Sequence, residues 1–464
     1  MRRAGIVLVV TVLAAGLLAA REASAQGFGV YEHGACTMGR AGAGVASPCD
    51  DGSAVFFNPA ALAKIREKKV VSLGVTFIGP KGEFLSDRTQ LGTELLDKWY
   101  PVPSGYFAMP FGERTTLGIG LFAPYGLTSW WPDTFEGRYM GYKSVLEAPY
   151  LQPTVAFKVN DKVSVGAGFD FVLAGIELRQ RAELSTVVVG TLPNGQPLTM
   201  ATLAGVPLGT DWADTKADGS ANGWGAHFGV MIEAHEKFSV GARYMTQVKI
   251  ETDDGDFEAT QIPVSYTTRF ALPGVPAGTP VNALLAPQFT GSGRLAPQSV
   301  GTEITLPDQL VFGIAIKPTD RAKFFVDYQW VNWADFDQLV LEFSGGLGTV
   351  SQNENYDNTH GIRVATELGV TERFVVRGGI LAHKAAAPDE TVTPLLPEGY
   401  RSEFAGGFGF DLTSNIRLDG AIQYIDQRDR RGRTIPELPN GTVVNNGLYT
   451  FDAFLYGFSI VWKF

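Results

Sequence analysis

After residue 25 the chain lacks any hydrophobic run long enough to cross a membrane as a helix, which takes about 20 apolar residues. That excludes a helical membrane protein. Charged residues make up only 19% of the chain, and there are two cysteines and five histidines. None of His33, His227, His235, His360 and His383 sits in a zinc spacing or beside a nucleophile motif, so no metal or other cofactor is expected. Positive charge is also scarce. The formal net charge is −10, of which Arg2, Arg3, Arg21 and Glu22 supply +2, leaving −12 for the chain beyond residue 25. Nucleic acid is therefore excluded as a partner. What the chain does have is glycine (55 residues) and aromatics (11%), a composition suited to a barrel of many short strands.

Residues 1–25 read as a secretory signal: Arg2 and Arg3, an apolar core from Ile6 to Ala20, and a small-residue box that places cleavage between Ala25 and Gln26. The C-terminal segment, LYTFDAFLYGFSIVWKF, places Phe454, Tyr456, Phe458, Ile460, Trp462 and Phe464 on one face of a strand. Leu455, Gly457, Ser459, Val461 and Lys463 take the other. In lipid only closure satisfies the backbone of such strands, so the pattern must recur.

It does. Alternation and breakers give fourteen candidate strands: 70–79, 103–110, 114–123, 145–159, 163–183, 220–234, 238–252, 301–316, 322–342, 357–369, 373–385, 399–412, 416–428 and 448–463. Their connections alternate between short turns and long segments (124–144, 184–219, 253–300, 343–356, 386–398, 429–447). The sequence thus predicts an all-β membrane fold, a fourteen-stranded antiparallel outer-membrane barrel spanning 70–464, with both termini on the short-turn, periplasmic side. A charge facing lipid near mid-depth costs roughly 2–4 kcal/mol, so Arg243, Asp327, Arg363, Glu367, Arg377 and Asp419 are expected to point inward. Residues 26–69, rich in Gly and Ala and containing Asn58-Pro59-Ala60, are the expected hatch filling the wide lumen. Cys36 and Cys49 form an even pair in an exported chain, which suggests one disulfide; two free thiols packed in the hatch are the alternative.

Taken in order, Gly27-Phe28, Gly39-Arg40-Ala41, Asp50-Asp51, Phe57-Asn58-Pro59-Ala60, Leu306-Pro307-Asp308, Trp333-Ala334-Asp335-Phe336 and the aromatic C-terminal strand resemble the FadL family of outer-membrane transporters for long-chain fatty acids and other hydrophobic compounds. The resemblance implies capture of substrate on extracellular loops, a lumenal site, and a lateral exit opened by the hatch N-terminus and a strand kink. It carries Phe28, Asn58, Pro59 and Ala60 over as gate residues and Gly118, Gly120 and Pro124 as a kink; glycine filling a crowded wall is the other reading of the first two.

Two long loops are unusually apolar. Leu203 and Val206 lie in one, and Phe270, Leu284, Leu285 and Phe289 in the other. Such loops either form a groove that takes hydrophobic substrate from water or pack against each other. A fatty acid needs a cation for its carboxylate. Arg179 and Arg181 stand where the resemblance puts one, unless they make rim salt bridges, and Arg377 and Arg401 are further candidates. The expected function is passive uptake of hydrophobic small molecules by a monomer. Its partners would be that substrate, outer-membrane lipid and, during biogenesis, the barrel-assembly machinery. An outer-membrane lipase or protease using His383, or an open porin for hydrophilic solutes, are the alternatives.

Overall fold

The alternation read along the chain closes on itself in the computed structural model, which describes residues 27–432 and 446–464. The expected signal segment 1–25, its expected cleavage point at Ala25 and Gln26, and most of the 429–447 connection lie outside the described residues. The strands are β1 (Val70–Ser86), β2 (Gly92–Glu94), β3 (Tyr100–Phe111), β4 (Thr115–Trp130), β5 (Lys143–Lys158), β6 (Val163–Glu183), β7 (Val188–Thr191), β8 (Pro197–Thr199), β9 (Asp211–His235), β10 (Phe238–Met245) and β11 (Val248–Gln261). They continue with β12 (Gln298–Leu306), β13 (Gln309–Thr319), β14 (Ala322–Val331), β15 (Gln338–Phe343), β16 (Thr349–Asn353), β17 (Thr359–Gly369), β18 (Phe374–His383), β19 (Arg401–Asp411), β20 (Ile416–Gly432) and β21 (Gly447–Lys463). Among the described residues no helix is long and apolar enough to cross a membrane.

The wall is antiparallel throughout and has fourteen staves. Its order is β1, β3, β4, β5, β6, β9, β10, β13, β14, β17, β18, β19, β20, β21. Closure comes from β21 pairing with β1 along its whole length, Val70 opposite Lys463 to Ser86 opposite Gly447. The backbone of Lys69 and Phe464 exchanges two further hydrogen bonds, so the start of β1 and the C-terminus share the rim that carries the short turns. The face assignment holds. Phe454, Tyr456, Phe458, Ile460, Trp462 and Phe464 are all exposed, whereas Arg243, Asp327, Arg363, Glu367, Arg377 and Asp419 are at most 9% exposed.

Several strand boundaries differ from the sequence reading. Candidate 238–252 is two strands, β10 and β11; 301–316 is β12 and β13; and 322–342 is β14, a bend at 332–337, and β15. The breaks lie in one row. Met245 is opposite Gln309, Gln309 opposite Val331, and Val331 opposite Thr359; each ends or begins its strand there, and all four are fully buried. Above this row β11, β12, β15 and β16 form a collar. The stretch 124–130, read as loop, continues β4, because Pro124 sits in a bulge. Phe122 opposes Tyr150 while Tyr125 opposes Ala148, so one extra residue is accommodated on β4. A proline without an N–H is tolerated at such a bulge.

Most of residues 27–65 lie buried inside the barrel, with short helices α1 (Ala35–Met38) and α2 (Ala54–Phe57) and a 3-10 turn, Pro59–Lys64, and residues 66–69 lead out to the rim. Asn58 starts that turn: its Oδ1 accepts the Ala60 N–H at 3.1 Å, and Pro59 occupies the first helical position. The Asn58 Nδ2 donates to Val45 O (2.7 Å) within the hatch and to Val230 O (3.1 Å) on β9. A Cβ on Gly229 would stand 2.3 Å from Asn58 Oδ1, and one on Gly166 2.4 Å from the Pro59 carbonyl carbon, so the hatch turn rests on bare backbone. Cys36 and Cys49 are joined, with Cα atoms 6.3 Å apart.

Candidate functional site

Charge holds most of the hatch in place. Arg40 pairs with Glu367 of β17, which also takes Lys323 (3.1 Å) and Arg377 (2.9 Å); Arg377 in turn bonds Asp419 at 2.7 Å. Asp327 Oδ2 accepts the N–H groups of Gly44 (2.6 Å) and Val45 (3.0 Å). This corrects the reading of Arg377 as a head-group cation. It is committed to the wall–hatch network and reaches neither cavity described below.

The extreme N-terminal part is held differently. The ladder between β3 and β4 ends at Gly105–Leu121, and above it the two strands part. Residues 28–30 cover the separation from inside: Val30 N–H donates to Pro124 O (2.8 Å), Gly126 N–H to Phe28 O (2.9 Å), and Gly29 bridges Tyr125. Phe28 is caged by Trp333 (ring centroids 4.6 Å), Phe336 (5.6 Å) and Tyr125 (6.2 Å). Trp333 and Phe336 reach the lumen because the chain bends inward where β14 stops. Gly27, at φ +55°, lies so close to Trp333 that a Cβ would come within 2.6 Å of the indole. Across the lumen the Tyr125 hydroxyl donates to Pro307 O (2.6 Å) and accepts from Gln309 Nε2 (2.9 Å), bracing the bulged strand against the broken row. Gly118 and Gly120 are not the kink. Their missing side chains make room for Leu62 and Val55 of the hatch, and the bulge lies at 122–125.

Behind this N-terminal cover is a cavity of about 590 Å³. Phe28, Val30, Leu121, Phe122, Tyr125, Leu127, Leu146, Ile425 and Phe451 make it apolar. One end is polar, with Arg401, Gln427, Glu32, Glu398 and Glu403. Arg401 Nε donates to Gln427 Oε1 at 3.3 Å, and among the described residues no carboxylate lies within 4.0 Å of the guanidinium. Gln423 Nε2 donates to Glu32 (2.9 Å) and Glu403 (2.7 Å), linking hatch to wall.

A second cavity, about 910 Å³, opens among the long loops. Leu203, Leu284 and Leu285 line it, with Val187, Leu272, Leu339, Leu341 and Phe343. The two apolar loops therefore both pack together and leave a greasy hollow. α3 (Met200–Ala204), capped by Thr199 and stopped by Gly205 at φ +67°, lies against α4 (Val281–Leu285) in one hydrophobic cluster. Asn282 pins the second loop by a two-way hydrogen bond with the Val264 backbone (2.8 and 2.9 Å). Val206 is buried in that cluster and Phe289 packs on it, both behind the lining. Phe270 is exposed and lines neither cavity, a further departure from the sequence reading.

Arg179 lines the outer cavity and bonds Glu177 at 2.5 Å; Lys143 takes the same carboxylate at 2.7 Å, so two cations share one acid. Arg181 is a rim ion pair with Asp133 (2.6 Å) and Asp214 (3.5 Å) and reaches neither cavity. His383 is buried on the inner face of β18. Spacing also gave no hint of a buried chain on three strands, where His227 bonds Asp170 (2.5 Å) and Thr154 (2.9 Å). Neither cavity is lined by Thr154, Asp170 or His227, so this chain is a link between β5, β6 and β9 and not part of either site.

The family described as outer membrane protein transport protein (OMPP1/FadL/TodX) matches residues 16–464. The chain is 24% identical to the long-chain fatty acid transport protein of Escherichia coli K12, with 96% of each chain covered. A solved FadL homologue from Pseudomonas aeruginosa superposes with a TM-score of 0.77 at 20% identity, covering 94% of this chain and 99% of its own. The toluene transporter TodX of Pseudomonas putida gives 0.68 at 16% identity, covering 94% and 99%.

Proposed function

Because the chain belongs to the OMPP1/FadL/TodX family of outer-membrane transport proteins, a family of transporters and not of enzymes, we propose a route for its cargo. Hydrophobic small molecules, long-chain fatty acids or hydrocarbons, enter the outer cavity, pass to the inner one, and leave sideways between β3 and β4. Proteins of this family carry such cargo by name, from fatty acid in Escherichia coli to toluene in Pseudomonas putida. The observation that carries the reading is the parting of β3 from β4 above Gly105–Leu121, with an apolar cavity behind it and residues 28–30 as its cover. The rest of the hatch is tied down through Arg40 and Asp327, so exit through the barrel floor would break far more than lifting the N-terminal segment does.

Affinity comes from apolar burial at roughly 25 cal/mol per Å², with no coupled energy source. A carboxylate head group is met first at Arg179, where two cations face one acid, and then at Arg401. Phe28 is the gate side chain, Asn58, Pro59 and Ala60 seat the hatch, and Pro124 marks the kink. The termini face the periplasm, the protein works as a monomer in outer-membrane lipid, and the barrel-assembly machinery inserts it. The hatch across the lumen argues against an open porin.

The test is transfer of parinaric acid, a fluorescent fatty acid, and of toluene into liposomes with and without the purified protein. Faster entry of either is expected, and deleting residues 262–295 should weaken parinaric acid binding while the barrel still folds. Equal entry with and without protein removes the reading.

A further inference from the structure

Loops between strands normally run over the surface, since buried backbone must find hydrogen-bond partners. The connection between β18 and β19, residues 384–400, does the opposite. It dips into the barrel mouth and crosses toward the top of β4, and most of residues 385–399 are buried. Its tip is a tight turn closed by a bridge between Thr393 and Leu396. The Pro394 carbonyl accepts from Ser129 Oγ (2.8 Å) and Trp131 Nε1 (2.9 Å), and the Pro397 carbonyl from Gln427 Nε2 (2.7 Å). Leu395 lies against Gly141 so closely that a Cβ there would meet its Cδ2 at 2.1 Å.

Two neighbouring side chains of this turn face different spaces: Leu395 lines the outer cavity, Leu396 the inner one. The turn is thus a septum between them. Its root is organised by Glu398, whose fully buried carboxylate accepts the N–H groups of Ala386 (3.1 Å), Ala387 (3.0 Å) and Gly27 (3.0 Å). Gly27 precedes the Phe28 that closes the lateral gap. One side chain therefore ties the septum to the N-terminal cover.

We propose that residues 384–400 are an inner gate between the two cavities, and that Glu398 is the positioning residue that couples its opening to release of residues 27–30 from β4. The proposal rests on the transport reading for its purpose and on the hydrogen bonds of Glu398 for its coupling. A ligand in the outer cavity presses on Leu395. Lifting the turn pulls the Glu398 carboxylate from Gly27, which frees the N-terminal segment as the inner cavity fills. Passage inward and exit outward then follow from a single motion.

Two measurements test it. In a Gly141→Cys/Leu395→Cys protein the leucine Cγ lies 2.9 Å from the position of the new Cβ, within reach of a disulfide. Oxidation should leave parinaric acid binding intact yet stop its transfer into liposomes, and dithiothreitol should restore transfer, with the wild type run under the same reductant. Transfer at the wild-type rate through protein whose cross-link is verified by mass overturns the gate. Absence of transfer by the wild type would instead strike the transport reading alone.

The coupling is read without any ligand, by hydrogen exchange of the folded protein in detergent. Glu398→Gln should speed exchange about tenfold in both 386–396 and 27–33, the loss expected for a charge-assisted hydrogen bond. Glu398→Asp, which keeps the charge, should recover part of the protection. Faster exchange in 386–396 alone overturns the coupling. Retained heat-modifiable migration on gels shows that each variant barrel is folded.

Discussion

Replacing Arg40 by alanine tests whether charge, rather than shape, seats the body of the hatch. The Arg40 side chain is 2% exposed, pairs with Glu367, donates to Ser47 O at 3.1 Å and lies over the Phe325 ring at 4.4 Å. Removing one partner of a buried ion pair costs about 3–5 kcal/mol when the other is left bare. Glu367 is not left bare, since Lys323 and Arg377 remain at 3.1 and 2.9 Å. The lost pair then falls below that range, and the lost ring contact adds back about 0.5–2 kcal/mol. About 3 kcal/mol results, or roughly a hundredfold more of the state in which residues 40–47 have left the wall. Hydrogen exchange of the amides of Gly42, Ala43 and Ser47, all bonded within the hatch, should accelerate by that factor. Planar-bilayer traces should change from closed to flickering. Arg40→Lys, which keeps the charge but not the planar fork, should fall between. Wild-type protection together with a closed trace in Arg40→Ala would refute the argument and leave the wall glycines as the seat.

Three further outcomes follow from the same geometry. Tyr125→Phe strands Pro307 O and Gln309 Nε2 in a buried site, which should destabilise the barrel by about 1–3 kcal/mol and lower its thermal midpoint; an unchanged midpoint would mean that the cross-lumen brace carries no strength. Leu285→Asp places a carboxylate in the lining of the outer cavity and should weaken parinaric acid binding by at least about tenfold, and equal affinity would remove that cavity from the route. Burial pushes the Glu354 carboxyl up from 4.5 to about 8, although Gln352 donates to it at 2.8 Å. Between those two values the unfolded chain ionises while the folded one keeps its proton, so stability of the 354–358 segment falls as pH rises and levels off above about 8. Exchange in 354–358 should quicken across that window in the wild type and stay flat in Glu354→Gln.

The wall was legible because lipid imposes a rule on every residue of every strand: Arg363 and Asp419 had one face available, and Phe458 and Trp462 the other. Periodicity assigns a face and nothing more. It could not tell that Arg377 meets Glu367 on the adjacent β17 and reaches past the glycines of β19 to Asp419 on β20, a matter of the register between successive strands. The broken row was hidden for a related reason. Val248, Leu306 and Leu339 continue an apolar pattern past the breaks, so only the three-dimensional row of Met245, Gln309, Val331 and Thr359 reveals them. The outer hollow showed in composition, because Leu203 and Leu285 are out of place in a wet loop. Composition does not say which way a loop side chain turns, and Phe270 turned outward. Glu398 gave no signal at all, since a glutamate in a proline-rich connection reads as solvated, like Glu390 in the same stretch.

That row of interruptions separates two jobs mechanically. Below it, continuous ladders form a hoop; above it, β12, β15 and β16 are joined to the hoop by a few unladdered residues apiece, while β11 also pairs with the upper part of β9 from Asp256 opposite Asp218 to Gln261 opposite Ala213. Side chains around the mouth can be exchanged, and β12, β15 and β16 can lean with each visitor about the β9–β11 ladder, with less strain passed down to the registers that keep the hoop shut. Selection for new cargo thus has a region to work on that is largely decoupled from the requirement to remain inserted.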